Sequence, residues 1–163
     1  MVEQLIVTKT KKSQKYIQLL AGVTELLKDS TDLISAMANL AAALKYSFNF
    51  FWVGFYLVNG DKLTLGPFQG PIACMEIPFG KGVCGSAWQN KKTIIVEDVN
   101  KFPGHIACNS ASKSEIVLCV FDGQKVIGVL DIDSDKLASF DAVDEKYLTN
   151  FIQLLNNKQI PHY

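Results

Sequence analysis

Arginine is missing from this chain of 163 residues: all sixteen cations are lysine. No bound carboxylate or phosphate is gripped by a bidentate guanidinium fork, so backbone N–H groups, hydroxyls or lysine must serve instead. Net charge is missing too. Sixteen lysines balance sixteen carboxylates, which argues against a nucleic-acid binder, whose affinity comes from neutralising phosphates. Long apolar runs are absent: the stretch from Ala36 to Leu44 is broken by Asn39 and far too short to cross a bilayer. Met1 to Lys12 lacks the apolar core and small-residue cleavage site of a secretory signal. We expect a soluble cytoplasmic chain with neither nucleic-acid nor membrane partner.

What is present is the composition of a folded protein. Hydrophobic residues make up 48% and charged residues 20%, too apolar a balance for a disordered chain. A chain of this length buries roughly 70% of its extended surface and needs neither disulfide staples nor a structural metal to fold. No repeat, low-complexity tract or interdomain linker is visible. The expectation is one domain over residues 1–163, with a lysine-rich lead at 1–12 and a core at 13–157.

Tyr16, Ile17, Leu19, Leu20, Val23, Leu26 and Leu27 recur at helical spacing and predict an amphipathic helix over 13–28. Asp29-Ser30-Thr31-Asp32 supplies a cap for a second helix with a buried stripe of Leu33, Ile34, Met37, Leu40, Ala41 and Leu44. From Phe50 to Val58 the chain is aromatic and β-branched, and Asn59-Gly60 turns it into Lys62 to Phe68, a hairpin signal. Gly66 to Gly85 carries five glycines and three prolines, so much of it reads as loop. Thr93 to Glu97 predicts a short strand, and Lys101 to Lys113 another loop. Glu115 to Phe121 and Lys125 to Asp133 form a second hairpin, and Asp141 caps a last helix bearing Val143, Tyr147, Leu148, Phe151, Ile152 and Leu155. Strands and helices do not alternate as βαβ units. The fold class is α+β, a central antiparallel sheet with helices packed on it.

Side chains alternate across a strand, so Phe51, Val53, Phe55 and Leu57 share a core face while Trp52 and Tyr56 stand on the other, with Gly54 between them. Either both rings pack under a helix, or they wall a slot whose open floor at Gly54 takes a small apolar group. Asp131 and Asp133 project from one face of their strand, and the antiparallel partner strand begins with Glu115 near them. Three converging carboxylates need a cation, a ligand ammonium or a lysine unless they lie at a solvated strand end. They lack the loop spacing of an EF-hand.

Cys74, Cys84 and Cys108 fall in glycine-rich or polar segments, whereas Cys119 sits between Leu118 and Val120 and reads as inert core. No C-x-x-C pair is present, which excludes a zinc ribbon and a thioredoxin motif. His105 and Cys108 with Cys74 and Cys84 make an irregular zinc set; redox chemistry is the other reading. A loop thiolate is reactive, and a second cysteine within reach resolves an oxidised first one.

Several stretches together resemble the free methionine-(R)-sulfoxide reductases: Trp52-Val53-Gly54-Phe55-Tyr56, Leu65-Gly66-Pro67-Phe68-Gln69-Gly70, Ala73-Cys74, Gly80-Lys81-Gly82-Val83-Cys84-Gly85, Phe102-Pro103-Gly104-His105-Ile106-Ala107-Cys108, Ser114-Glu115-Ile116-Val117 and Leu130-Asp131-Ile132-Asp133-Ser134. The resemblance runs from the first helix to the last. It implies a GAF fold, Cys108 as nucleophile, Cys74 as resolving cysteine and Cys84 as an auxiliary thiol. Trp52 and Tyr56 would hold the S-methyl group of free methionine (R)-sulfoxide, and Glu115, Asp131 and Asp133 its ammonium and sulfoxide ends. It also implies a homodimer that uses no cofactor or metal and is recycled by thioredoxin.

Two positions depart from the family's pattern: Asn109 stands where aspartate is expected after the nucleophile, and Cys119 where proline is expected. Neither removes a group the chemistry needs. Because most GAF domains are sensors, a non-catalytic module that binds a small ligand is the alternative; it would tolerate loss of every loop cysteine.

Overall fold

The computed structural model describes Leu5 and residues 7–160. Residues 1–4 and 6 of the N-terminal lead, and 161–163 of the expected domain, lie outside the described residues. Helix α1 spans Lys12–Leu27 and α2 Leu33–Phe48. The Asp32 carboxylate caps α2 by accepting from Ser35 N at 2.5 Å, and Asn49, in the left-handed region at φ 55°, ends it. Strands β1 (Trp52–Asn59) and β2 (Lys62–Gln69) form the first hairpin. Gly60 turns it at φ 63°, a conformation that side chains resist.

Residues 66–85 are less open than their glycines and prolines suggest. Strand β2 continues to Gln69 through a bulge opposite Gly54 and Tyr56, which accommodates Gly66 and Pro67. Edge strand β3 (Glu76–Pro78) and helix α3 (Gly82–Asn90) follow. Gly85 lets α3 lie against β3: a Cβ there would sit 2.6 Å from the Pro78 carbonyl oxygen. Strand β4 (Ile94–Val96), hairpin β5 (Ser114–Asp122) and β6 (Lys125–Ser134), and helix α4 (Ala142–Gln153) complete the chain.

The six strands form one antiparallel sheet in the order β3-β2-β1-β6-β5-β4. On one face, α1, α2 and α4 bury Tyr16, Leu19, Leu40, Leu44, Leu148 and Phe151 against Val53, Phe55, Ile116, Leu118, Leu130 and Ile132. Ile17 and Val143, expected on the buried stripes, are 56% and 38% exposed. Each lies one position off its helix's sheet-facing row. The other face carries Trp52, Tyr56, Val117, Cys119 and Val129 under α3 and the long loops. Phe51 packs on this second face rather than on the expected core face, because it precedes β1 and escapes the strand's alternation. Among the described residues no helix is long and apolar enough to cross a membrane.

Candidate active site

Register assembles the site on the α3 face. Trp52 pairs with Asp133, which pairs with Glu115; Gly54 pairs with Asp131, which pairs with Val117; Tyr56 pairs with Val129, which pairs with Cys119. Two of these rows bring all three acids beside the aromatic pair. Gly54 does not leave an open floor, however. A Cβ there would lie 2.5 Å from Phe68 Cβ and nearer still to the Trp52 ring, so the indole itself covers the glycine. Trp52 stacks between Phe68 and Tyr56, with centroids 5.5 and 6.0 Å away.

The polar tips of both rings point at the loop that follows β2. Trp52 Nε1 donates to the Pro71 carbonyl and Tyr56 Oη to the Cys74 carbonyl, each at 3.0 Å. That loop carries Cys74, disulfide-bonded to Cys108 with Cα atoms 5.1 Å apart. Cys108 lies on the loop before β5, where its N–H bonds the Ile106 carbonyl at 3.0 Å and the Asn109 side chain accepts from Ala111 N at 2.9 Å. Cys74 and Cys108 therefore bond each other rather than completing the irregular zinc set with His105 and Cys84.

Cys84, expected in a loop, is the third residue of α3 and is buried. Its thiol donates to Glu115 Oε1 at 3.8 Å. Glu115 and Asp131 are each only 6% exposed, so the acids do not sit at a solvated strand end. Asp131 Oδ1 is buried without a hydrogen-bond partner. No lysine lines this cleft, and His105, which does, is held below its ordinary pKa by burial. Burial first, then the neighbouring carboxylates, pushes Glu115 and Asp131 well above the usual carboxylate range. Burial moves Asp133 up to about 6, against a hydrogen bond from Ser112. Burial and the same acids raise the Cys84 thiol.

Cys119 is buried as expected, donating its S–H to the Ala87 carbonyl at 3.2 Å, and its pKa is pushed by burial to about 11. The cleft also takes in Phe51, Val83, Ile106 and Ser112, which the sequence reading did not assign. Ile106 alone carried a signal, as an apolar residue in a polar loop. One atom each from Cys84, Glu115 and Asp131 lies within 4.8 Å of the others, the one metal-capable cluster among the described residues. Chemically, the arrangement joins a two-electron thiol/disulfide couple, an aromatic wall and protonatable acids that no described lysine meets.

Comparison with known proteins shows the family. The GAF domain model matches residues 28–156. GAF domain-containing protein A of Dictyostelium discoideum is 58% identical over 158 residues, 96% of this chain and 100% of its own length. The free methionine-R-sulfoxide reductase of Escherichia coli is 43% identical over 145 residues, 88% of each chain. The X-ray structure of free methionine-R-sulfoxide reductase from Neisseria meningitidis in complex with its substrate superposes with a TM-score of 0.91 at 47% identity, covering 93% of this chain and 92% of that one. The chain belongs to the GAF-domain free methionine-R-sulfoxide reductases, oxidoreductases acting on a sulfur group.

Proposed function

We propose that the protein reduces free L-methionine (R)-sulfoxide to methionine, with Cys108 as nucleophile and Cys74 as resolving cysteine. The carrying observation is the Cys74–Cys108 pair on a cleft that combines stacked aromatics with buried, cation-free acids. The S-methyl group lies against Trp52 and Tyr56, and the ammonium supplies the positive charge that Asp131 and its neighbours lack. With no arginine in the chain, backbone N–H groups hold the substrate carboxylate.

The Cys108 thiolate attacks the sulfoxide sulfur while a neutral carboxylic acid, Glu115 first, protonates the oxygen; burial first, then the neighbouring carboxylates, holds its pKa well above the ordinary carboxylate range and favours the protonated form. Methionine leaves reduced by two electrons, and Cys108, oxidised by two, holds the oxygen as a sulfenic acid. The Cys74 thiolate then attacks Cys108 Sγ, expelling the oxygen as water and forming the disulfide. An external dithiol of the thioredoxin type exchanges with that disulfide and restores both thiols. Cys84, buried beside Glu115, takes no required part in this exchange.

The test supplies thioredoxin as reductant and follows free methionine sulfoxide with its epimers resolved. Consumption of the R epimer alone is expected, with N-acetyl methionine sulfoxide and oxidised peptides poor substrates because they lack the ammonium. Equal turnover of an oxidised peptide would overturn the assignment of the acids. Full steady-state activity in a Cys74→Ser/Cys84→Ser double variant would overturn the disulfide step.

A further inference from the structure

Cys84 keeps a free sulfur when Cys74 and Cys108 are joined. It faces Glu115 Oε1 at 3.8 Å, and the three possible donor atoms of Cys84, Glu115 and Asp131 all lie within 4.8 Å of one another. All three side chains are more than nine-tenths buried, and Asp131 Oδ1 has no hydrogen-bond partner. Asp133, paired with Glu115 across the strands, stands next to them.

We propose that Cys84, Glu115 and Asp131 form a binding site for a thiophilic divalent cation, zinc, with Asp133 or water as the fourth ligand. The donor set selects the metal. Calcium and magnesium want six or more oxygens, whereas zinc takes four ligands and accepts a thiolate beside carboxylates. Zn–S near 2.3 Å and Zn–O near 2.0–2.2 Å place tetrahedral donors roughly 3.5 Å apart, so donors that already lie within 4.8 Å of one another close by about 1.3 Å at most. The ion displaces the Cys84 proton to solvent and occupies the orphaned side of Asp131. This is the position given above to the substrate ammonium, so zinc excludes substrate from the reduced enzyme and acts as an inhibitor.

Cobalt(II) is the probe, because a thiolate ligand gives it a sulfur-to-metal charge-transfer band. The full chain is titrated metal-free with the Cys74–Cys108 disulfide intact, which removes those two sulfurs as ligands. One equivalent is expected to develop the band, and zinc to bleach it with release of cobalt. Cys84→Ser abolishes the band, Asp131→Asn weakens binding by at least 10-fold, and Cys119→Ser leaves the spectrum unchanged. Absence of the band in the wild-type chain, its survival in Cys84→Ser, or cobalt bound without it overturns the site. Should Cys84→Ser fail to fold, the Asp131→Asn affinity and the proton released on zinc binding decide. Reductase activity of the metal-free protein is a separate measurement: its failure removes the substrate assignment and leaves the cobalt spectrum standing.

Discussion

Both faces of the sheet bury carboxylates, and they treat them in opposite ways. On the helical face Asp144 is 1% exposed and fully engaged: it accepts from Lys12 Nζ at 2.6 Å, from Tyr16 Oη at 2.8 Å and from the Asp141 N–H at 2.8 Å, closing the capping box of α4. On the α3 face Glu115 and Asp131 are nearly as buried, yet no cation among the described residues meets them and one Asp131 oxygen bonds nothing. A buried acid with a complete set of donors holds elements together. A cluster without them is kept neutral or waits for a positively charged ligand. The first arrangement ties α1 to α4; the second is where the substrate ammonium is proposed to sit.

The sharpest way to separate the two faces is to remove the nucleophile. Cys108→Ser is expected to abolish turnover, since a serine hydroxyl supplies no alkoxide at neutral pH to attack the sulfoxide sulfur, while Asp144 and its partners stay intact. Residual activity above a few per cent would move the nucleophile elsewhere. Within the acid cluster the next largest effect divides donor from anchor. Glu115→Gln removes an interaction made in the transition state and should lower kcat by roughly 100- to 10,000-fold. Asp131→Asn removes a charge-assisted contact with the ammonium and should mainly raise KM, by about 10- to 100-fold. Steady-state kinetics decide; a Glu115→Gln effect confined to KM would pass the donor role to an aspartate.

Stability should show the reverse pattern. Asp144→Ala strands the Tyr16 hydroxyl and leaves Lys12 with Asp141 alone, costing about 3 kcal/mol by chemical denaturation. Asp131→Asn, which relieves a buried like charge, should be neutral or stabilising at pH 7.5. The pH dependence follows from the raised pKa values. A carboxyl raised on folding stabilises the native state fully below its unfolded pKa, near 4, and that contribution is lost as pH rises through the folded value, about 6 for Asp133. Melting temperature should therefore fall between pH 4 and pH 7.5, and Asp131→Asn and Asp133→Asn should flatten the fall. An unchanged slope would mean the acids are not buried together in solution.

Much of the helical face was legible from periodicity, because α1, α2 and α4 each present a repeating apolar row and two have side-chain caps. Helix α3 was not: it has nine residues, Lys81 at its N-cap with no capping bond, and two glycines that lower helix propensity. Gly85 exists for packing against Pro78, a contact that no local pattern encodes. The loss carried Cys84 into a supposed loop. Strand alternation did put Trp52 with Tyr56 and Asp131 with Asp133, since a period of two needs no tertiary knowledge; that the two pairs share a face follows from the register of β1 against β6. Burial of those acids depends on α3 and on the loops bearing Cys74 and Cys108, far apart in sequence, so strand alternation does not separate a solvated cluster from a buried one. The pairing of Cys74 with Cys108 came from family resemblance alone; spacing left it open.

The smallest expected effect concerns the two residues that join the binding face to its redox loop. Tyr56 is 1% exposed and donates to the carbonyl of Cys74 itself, while Trp52 holds Pro71 three residues earlier. Ile72 and Met75 in the same loop are 88% and 77% exposed and give it little apolar anchorage. Burial raises the Tyr56 pKa, so its hydroxyl remains a donor throughout the working range. In Tyr56→Phe the ring still walls the cleft, but the loop loses a hydrogen bond worth about 0.5–1.5 kcal/mol, which corresponds to as much as a 10-fold change. That loss falls on the step needing Cys74 beside Cys108. Methionine formation in a single turnover should slow less than disulfide formation, and the Cys108 sulfenic acid should live longer and be trapped more fully by dimedone. Equal slowing of both steps would show that the hydroxyl serves the shape of the cleft, with no separate hold on the resolving cysteine.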